Sequence, residues 1–266
     1  MKIPKDYLDI NKKTWNSKTD VHIASEFYDT ESFINGKNTL NEIELALLGD
    51  VSGKKILHLQ CHFGQDTLSF ARLGAKATGV DLSDKAIERA REFNTELQLD
   101  ATFINCDIYD LPNHLEEQFD IVFTSYGTIG WLPDLNKWAN VVSHFLKPGG
   151  KFVMADFHSV VWMFDDNFKE VFYSYFNVEP IVEAESGTYA DRDAEIATQT
   201  VTWNHPTSEI LNALLCNKME IQSFNEYDYS PYNCFNETEE FEKGKFRIKH
   251  LKNKIPMVYS LTAIKK

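Results

Sequence analysis

Two periods of apolar residues run along the chain. From Lys54 onward, short apolar runs alternate with segments whose apolar positions follow the 3.6-residue repeat of an amphipathic helix. Ile56-Leu57-His58-Leu59 reads as a strand, and Asp66 to Leu73 as a helix ended by Gly74. Ala77 to Asp81 is the next strand, followed by a helix from Asp84 to about Leu97 with Ser83 as its N-cap. Thr102 to Asn105 is a short third strand, and Phe119 to Ser125 is an apolar run of the kind buried on both faces of a parallel sheet. Leu135 to Leu146 forms a helix, and Pro148-Gly149-Gly150 turns the chain into a fifth strand, Lys151 to Phe157. Parallel neighbours cannot be joined by a tight hairpin, so this alternation implies right-handed crossovers and a doubly wound, mostly parallel α/β sheet. Ligands of such sheets bind beyond the carboxyl ends of the strands, here just after Leu59, Val80, Asn105, Ser125 and Phe157.

The flanks break the pattern. Residues 1–50 are polar, aromatic and irregularly helical, with an amphipathic segment from Thr39 to Leu48 capped by Asn38 or Thr39 and closed by Gly49. They read as an N-terminal helical cap ahead of a main domain over 51–266. After the fifth strand the alternation lapses over about 159–207, with a hairpin of Pro180 to Gly187 and Glu195 to Asn204; an insertion of this length reads as a lid or substrate-binding element. A helix from Ser208 to Asn217, capped by Thr207 or Ser208, and strands at Glu220 to Tyr227 and Met257 to Ile264 complete the chain.

Composition narrows the partners. With 266 residues, 43% hydrophobic and 25% charged, the chain suits one principal sheet with embellishments. A formal net charge of −13, with no basic cluster beyond short Lys pairs, argues against nucleic acid and anionic membranes as partners. Met1-Lys2-Ile3-Pro4-Lys5-Asp6 leads into polar sequence with no apolar stretch of signal-peptide length, so the expected compartment is the cytoplasm. Cys61, Cys106, Cys216 and Cys234 are scattered without a Cys-x-x-Cys pair and read as reduced thiols. His58, Cys61 and His62 lie on a strand and a tight turn, an awkward setting for convergence on one ion, and no metal site is expected.

The chemistry concentrates between Ile56 and Ser83. Gln60-Cys61-His62-Phe63-Gly64 joins the first strand to a helix starting near Gln65, whose N-terminal N–H groups face a ligand. A dinucleotide would need Gly-x-Gly-x-x-Gly for close approach of its pyrophosphate, and this loop has only Gly64. S-adenosylmethionine carries no phosphate and asks for a tight turn and an acidic residue for its ribose. Asp81, 17 residues after Gly64 at the end of the second strand, supplies one; its other role would be to cap the next helix, which Ser83 already does.

From Lys54 to Phe157 the chain resembles the class I S-adenosylmethionine-dependent methyltransferases. Ile56 to Gly64 resembles the family's first motif, Gly79-Val80-Asp81-Leu82-Ser83 its ribose motif, and Asn105-Cys106-Asp107-Ile108-Tyr109-Asp110-Leu111-Pro112 its adenine segment. Phe119-Asp120-Ile121-Val122 and Leu146-Lys147-Pro148-Gly149-Gly150 complete the set. The resemblance implies a Rossmann-like, seven-stranded sheet with an antiparallel last strand. It also implies cofactor contacts from Gln60, Cys61, Gly64, Gln65, Asp66, Asp81, Leu82, Asp107, Ile108 and Ser125, with Asp107 on the adenine amino group and Ile108 stacking nearby. Two departures stand out: His58 replaces the acidic residue of the first strand, and Gln60 and His62 replace two glycines. The role of that acid in holding the methionine ammonium passes either to backbone carbonyls or to Asp66, which is also placed to favour its helix dipole. His58 is either a satisfied core polar residue or a ligand contact.

Methyl transfer to a small-molecule acceptor is in-line displacement, which demands alignment and exclusion of water more than a fixed catalytic triad. Tyr126 and His158, just beyond the fourth and fifth strands, are the catalytic candidates, His158 as a general base. Trp15, Trp131 and His205 are the candidates for binding the acceptor. A non-catalytic S-adenosylmethionine binder and a nicotinamide-dependent oxidoreductase are the competing readings.

Overall fold

Side chains of the first apolar run go to both faces of the sheet. In β1 (Lys55–Leu59), Leu57 and Leu59 pack with Trp138, Phe145 and Leu214, whereas Ile56 packs with Phe70, Ile121 and Phe123. Each fully buried side chain of this size contributes on the order of 1.5–3 kcal/mol, which is why so short a strand holds its place. The computed structural model describes residues 4–177 and 179–266; Met1, Lys2 and Ile3 of the polar opening lie outside the described residues.

Three helices come first: α1 (Tyr7–Ala24), α2 (Thr30–Ile34) and α3 (Glu42–Leu48). After β1 follow α4 (Gln65–Arg72), β2 (Lys76–Asp81), α5 (Asp84–Glu96), β3 (Ala101–Asn105), β4 (Phe119–Ser125), α6 (Leu135–Phe145) and β5 (Leu146–Phe157). A hairpin of β6 (Ile181–Ser186) and β7 (Ala197–Thr202) precedes α7 (Thr207–Cys216) and β8 (Met219–Tyr227). A second hairpin, β9 (Thr238–Glu242) and β10 (Lys245–Ile248), leads to β11 (Val258–Lys265).

Seven of these strands form one sheet in the order β3-β2-β1-β4-β5-β11-β8. The first five are parallel, and β11 runs antiparallel to both β5 and β8. This is the Rossmann-like, seven-stranded arrangement expected. The strand order reverses between β1 and β4, so their carboxyl ends open a crevice at the switch point. Among the described residues no helix is long and apolar enough to cross a membrane.

Several boundaries differ from expectation for identifiable reasons. Helix α3 starts at Glu42 because Thr39 donates to Asp66 at 2.6 Å and Asn38 accepts from the Leu40 N–H at 3.0 Å, so neither caps it. Helix α7 starts at Thr207, after Pro206, without a side-chain cap. Strand β5 begins at Leu146, which pairs with Phe119, and Lys147 to Gly150 bulge from the ladder before Lys151 meets Ile121. Helix α5 meets expectation: the Ser83 hydroxyl accepts from the Ala86 N–H at 3.0 Å.

Helix α1 lies along the β6–β7 hairpin. The Asn11 amide donates to the Val201 carbonyl at 2.8 Å and accepts from the Val201 N–H at 2.9 Å, and Thr14 donates to the Gln199 carbonyl at 2.6 Å. Lys18, 4% exposed, pairs with Glu185 at 2.8 Å. The other side of α1 meets α5 through Asn16, which donates to Asp84 and accepts from the Ser83 hydroxyl. Helix α1 and the hairpin together border the crevice.

Candidate active site

The carboxyl ends of the central strands open into a cavity of about 1400 Å³. The loop after β1 forms its floor. Gln60 and His62 have left-handed φ values of 58° and 52°, as does Gly64 at 79°, so the backbone keeps a glycine-type path where two side chains replace glycine. Each such residue costs about 1–2 kcal/mol. The offset comes from hydrogen bonds: Cys61 N–H to the Val80 carbonyl at 2.9 Å, His62 N–H to Asp81 at 2.8 Å, and the Gln60 amide to the Thr128 carbonyl at 3.0 Å. At Gly64 a Cβ would come within 2.7 Å of the Phe103 ring, so that position has no room for a side chain.

Asp81 ties this loop to the next. One carboxylate oxygen takes the His62 N–H and the other the Ser83 N–H, both at 2.8 Å, and burial raises the carboxyl to about 6. Asp66, in the first turn of α4, accepts from Thr39. Burial raises its carboxyl above the usual range, against hydrogen bonds from Thr39 and Ser125. Among the described residues no cationic side chain pairs with Asp66 or Asp81. Asp107 caps the 3₁₀ turn Ile108–Asn113 through the Tyr109 N–H at 3.2 Å, and Tyr7 of α1 lines the same cavity.

The cavity wall brings together Gln60, Cys61, Gly64, Gln65, Asp66, Asp81, Leu82, Asp107, Ile108, Ser125, Tyr126, Trp15, Trp131 and His205. Not all are free to act. The Cys61 thiol is buried and pushed up by burial, and the Gln65 amide donates to the Tyr28 carbonyl at 3.3 Å, holding the cap rather than a ligand. His205 is tied at both nitrogens, to Glu209 at 3.0 Å and to the Leu132 carbonyl at 2.8 Å, so it braces α7 against the loop after β4. His158 is not part of the wall. Its imidazole meets Glu226 of β8 at 3.0 Å and accepts the Val160 N–H at 3.1 Å, so the general-base reading of His158 is corrected to a structural one. His58 bonds Thr67 at 2.9 Å between the rings of Phe70 and Phe123, and burial lowers it to about 3, leaving a neutral core imidazole where the resemblance expects an acid. Among the described residues no group of three or more His, Cys, Asp and Glu side chains gathers as a metal site.

Asp156, His22, Tyr189 and Tyr232 escaped the sequence. Asp156, 3% exposed at the end of β5, accepts from the N–H groups of Gly127, Thr128, Ile129 and Phe157 and from the Thr128 hydroxyl, and so fixes the loop behind Tyr126. His22 of α1 meets His62 at 2.9 Å beneath the edge of Trp15, and the hydroxyls of Tyr28 and Tyr189 bond one another. Tyr126 and Tyr232 meet edge to face at 5.0 Å. The available signal for α1 was spacing: Tyr7, Asn11, Trp15, Lys18 and His22 recur every three or four residues on one helix face. That face is polar, so an apolar periodicity does not reveal it.

A family model described as a methyltransferase domain matches residues 50–215. An uncharacterised methyltransferase of Synechocystis sp. is 35% identical over 133 residues, 49% of this chain and 60% of that protein. A ubiquinone biosynthesis O-methyltransferase of Bordetella avium is 27% identical over 132 residues, covering 48% of this chain and 54% of that protein. The aligned part of the chain thus spans a little over half the length of these curated relatives. A solved structure described as an S-adenosylmethionine-dependent methyltransferase from Clostridium acetobutylicum shares the fold with a TM-score of 0.58 at 16% identity, over 96% of this chain and 98% of that one.

Proposed function

The chain belongs to the methyltransferase domain family, and on that premise we propose that it is an enzyme that transfers the methyl group of S-adenosylmethionine to a small-molecule acceptor by in-line displacement. The observation that carries this reading is the pair of half-buried carboxylates in the cavity wall, Asp66 and Asp81, that flank the Gln60 to Gly64 loop without a cationic partner among the described residues. On this reading Asp81 accepts from the ribose hydroxyls and Asp107 from the adenine amino group with Ile108 alongside, which is supported by all three lining the one cavity. Asp66, with the Thr39 and Ser125 hydroxyls, supplies the negative charge for the methionine ammonium that His58 does not. Gln60 and His62 stand in the cavity wall where a pyrophosphate-binding loop carries glycines, which disfavours the nicotinamide reading.

S-adenosylmethionine supplies an electrophilic methyl group on a sulfonium. The protein's part is to hold and to exclude. Helix α1 and the β6–β7 hairpin shield the cofactor end of the sheet from water, while Asp156 holds the Gly127 to Ile129 loop so that Tyr126 and Trp131 frame the acceptor's line of approach. Four free thiols fit a reducing, cytoplasmic setting.

Isothermal titration with S-adenosylmethionine, S-adenosylhomocysteine and NAD tests the reading. Saturable binding of the two adenosyl ligands is expected. Saturable NAD binding with no response to either would overturn it, and binding without methylated product across broad metabolite extracts would leave a non-catalytic binder.

A further inference from the structure

A buried carboxylate on α3 is joined to the cavity wall through Asn41. Glu44 of α3 is 0% exposed; one oxygen accepts from the Asn41 amide at 3.1 Å, and the other has no partner. Lys151, on the strand packed against α3, donates to the Leu47 carbonyl instead. The Asn41 amide also donates to the Tyr232 hydroxyl at 2.7 Å, so the Tyr232 hydroxyl hydrogen remains free for a ligand. The Tyr126 hydroxyl is buried in the cavity wall with no partner at all. Around these groups stand aromatic rings in sequence: Tyr126 against Tyr232, Tyr232 against Phe27 at 5.6 Å, and Phe27 against Tyr189 at 5.3 Å.

We propose that the methyl acceptor is a small amine with an apolar body, seated among Phe27, Tyr126, Tyr189 and Tyr232 with its nitrogen toward the Tyr126 hydroxyl and the Glu44 carboxylate behind it. This rests on the methyltransferase reading. The cofactor brings an ammonium, which Asp66 matches, and a sulfonium, whose charge its own carboxylate balances; Glu44 is left over. A buried carboxylate without a counter-charge is unfavourable, and a cationic ligand nearby offsets that cost. Aromatic faces favour the same charge, whereas a carboxylate or phosphate acceptor would meet repulsion from both acids. Burial, and then the charge of Asp66, raises the Glu44 carboxyl to about 7, as expected for a site that lacks its cation.

The chemistry agrees. The ammonium form binds, and it gives up one proton to water before attack, because the wall offers no strong base: His205 is tied at both nitrogens, and burial holds His62 well below the usual imidazole range. The freed nitrogen lone pair then forms the new nitrogen–carbon bond while the carbon–sulfur pair leaves with sulfur, and the methylated nitrogen keeps its remaining protons as a new ammonium. Positive charge moves from sulfur to nitrogen, where the Glu44 field stabilises it. Glu44 acts through Asn41 and Tyr232 and is a positioning residue.

The test uses protein saturated with S-adenosylhomocysteine, titrated with 2-phenylethylamine, 3-phenylpropionate and 3-phenylpropan-1-ol and read by tryptophan fluorescence. The amine is expected to bind at least tenfold more tightly than the carboxylate. Glu44→Gln is expected to shrink that ratio fivefold or more while S-adenosylhomocysteine affinity stays within twofold, and Tyr126→Phe, which preserves volume, to weaken the amine alone. A carboxylate or alcohol bound as well as the amine, no binding of the amine, or an unchanged ratio in Glu44→Gln would overturn the proposal. Failure of S-adenosylhomocysteine itself to bind would instead remove the underlying methyltransferase reading.

Discussion

Asp81 accepts two backbone N–H groups before any ligand arrives, which makes its substitution a test of both fold and function. Asp81→Ala should weaken S-adenosylhomocysteine binding more than tenfold in calorimetry, with circular dichroism still reporting a folded protein; unchanged affinity would refute the ribose assignment. The pH dependence has opposite signs for folding and binding. With the carboxyl raised from 3.8 to about 6, the folded protein holds this proton more tightly than the unfolded chain. The stability gained is therefore full below the unfolded value and lost as pH rises through about 6. Ribose hydroxyls need the ionised form, so affinity should fall several-fold between about pH 7.5 and about pH 5, a dependence that Asp81→Asn should flatten. At this scale the sequence reading gathered Asp66, Asp81, Asp107, Ser125 and Tyr126 in one site, and all five line the cavity. It misplaced His158, because position along β5 does not say which side a side chain takes once β11 and β8 pack beside it.

Among the elements, the five parallel strands and their helices were legible because each combines a strong apolar run with a clear stop such as Gly74 or a cap such as Ser83. The β9–β10 hairpin was not: its residues are mostly charged and only Ile248 is fully buried. Helix α1 was read only as irregular, since its buried positions are Asn11, Thr14, Lys18, Thr19 and His22. Its docking should be sensitive to single polar changes. Asn11→Ala leaves the Val201 N–H and carbonyl without their partners and should cost about 1–3 kcal/mol in urea unfolding. The same logic applies to the loop after β4. Asp156→Ala frees the N–H groups of Gly127, Thr128 and Ile129 at once and should cost about 3 kcal/mol, with the methyl acceptor's KM rising more than S-adenosylhomocysteine affinity falls. Equal losses in both measurements would indicate that the loop serves the cofactor alone.

For the molecule as a whole, a cap on one end of the chain and an insertion in its middle meet over the same cavity, which predicts that ligand and cap stabilise each other. Saturating S-adenosylhomocysteine at 100 times its Kd should add about 2.7 kcal/mol and slow tryptic cleavage at Lys12 and Lys13 of α1, as mapped by mass spectrometry. Cleavage there at an unchanged rate would show that α1 does not close over the ligand. The contact between α1 and the hairpin has a second consequence, for behaviour at high concentration. Among the described residues strand β7 has a single strand partner, β6, so its other side is an edge whose unpaired amide and carbonyl groups could recruit a strand from another chain. Asn11 and Thr14 occupy those groups at Val201 and Gln199 with side chains, which cannot propagate a ladder. The helix that helps enclose the reaction thus also keeps one copy of the protein from templating the aggregation of the next.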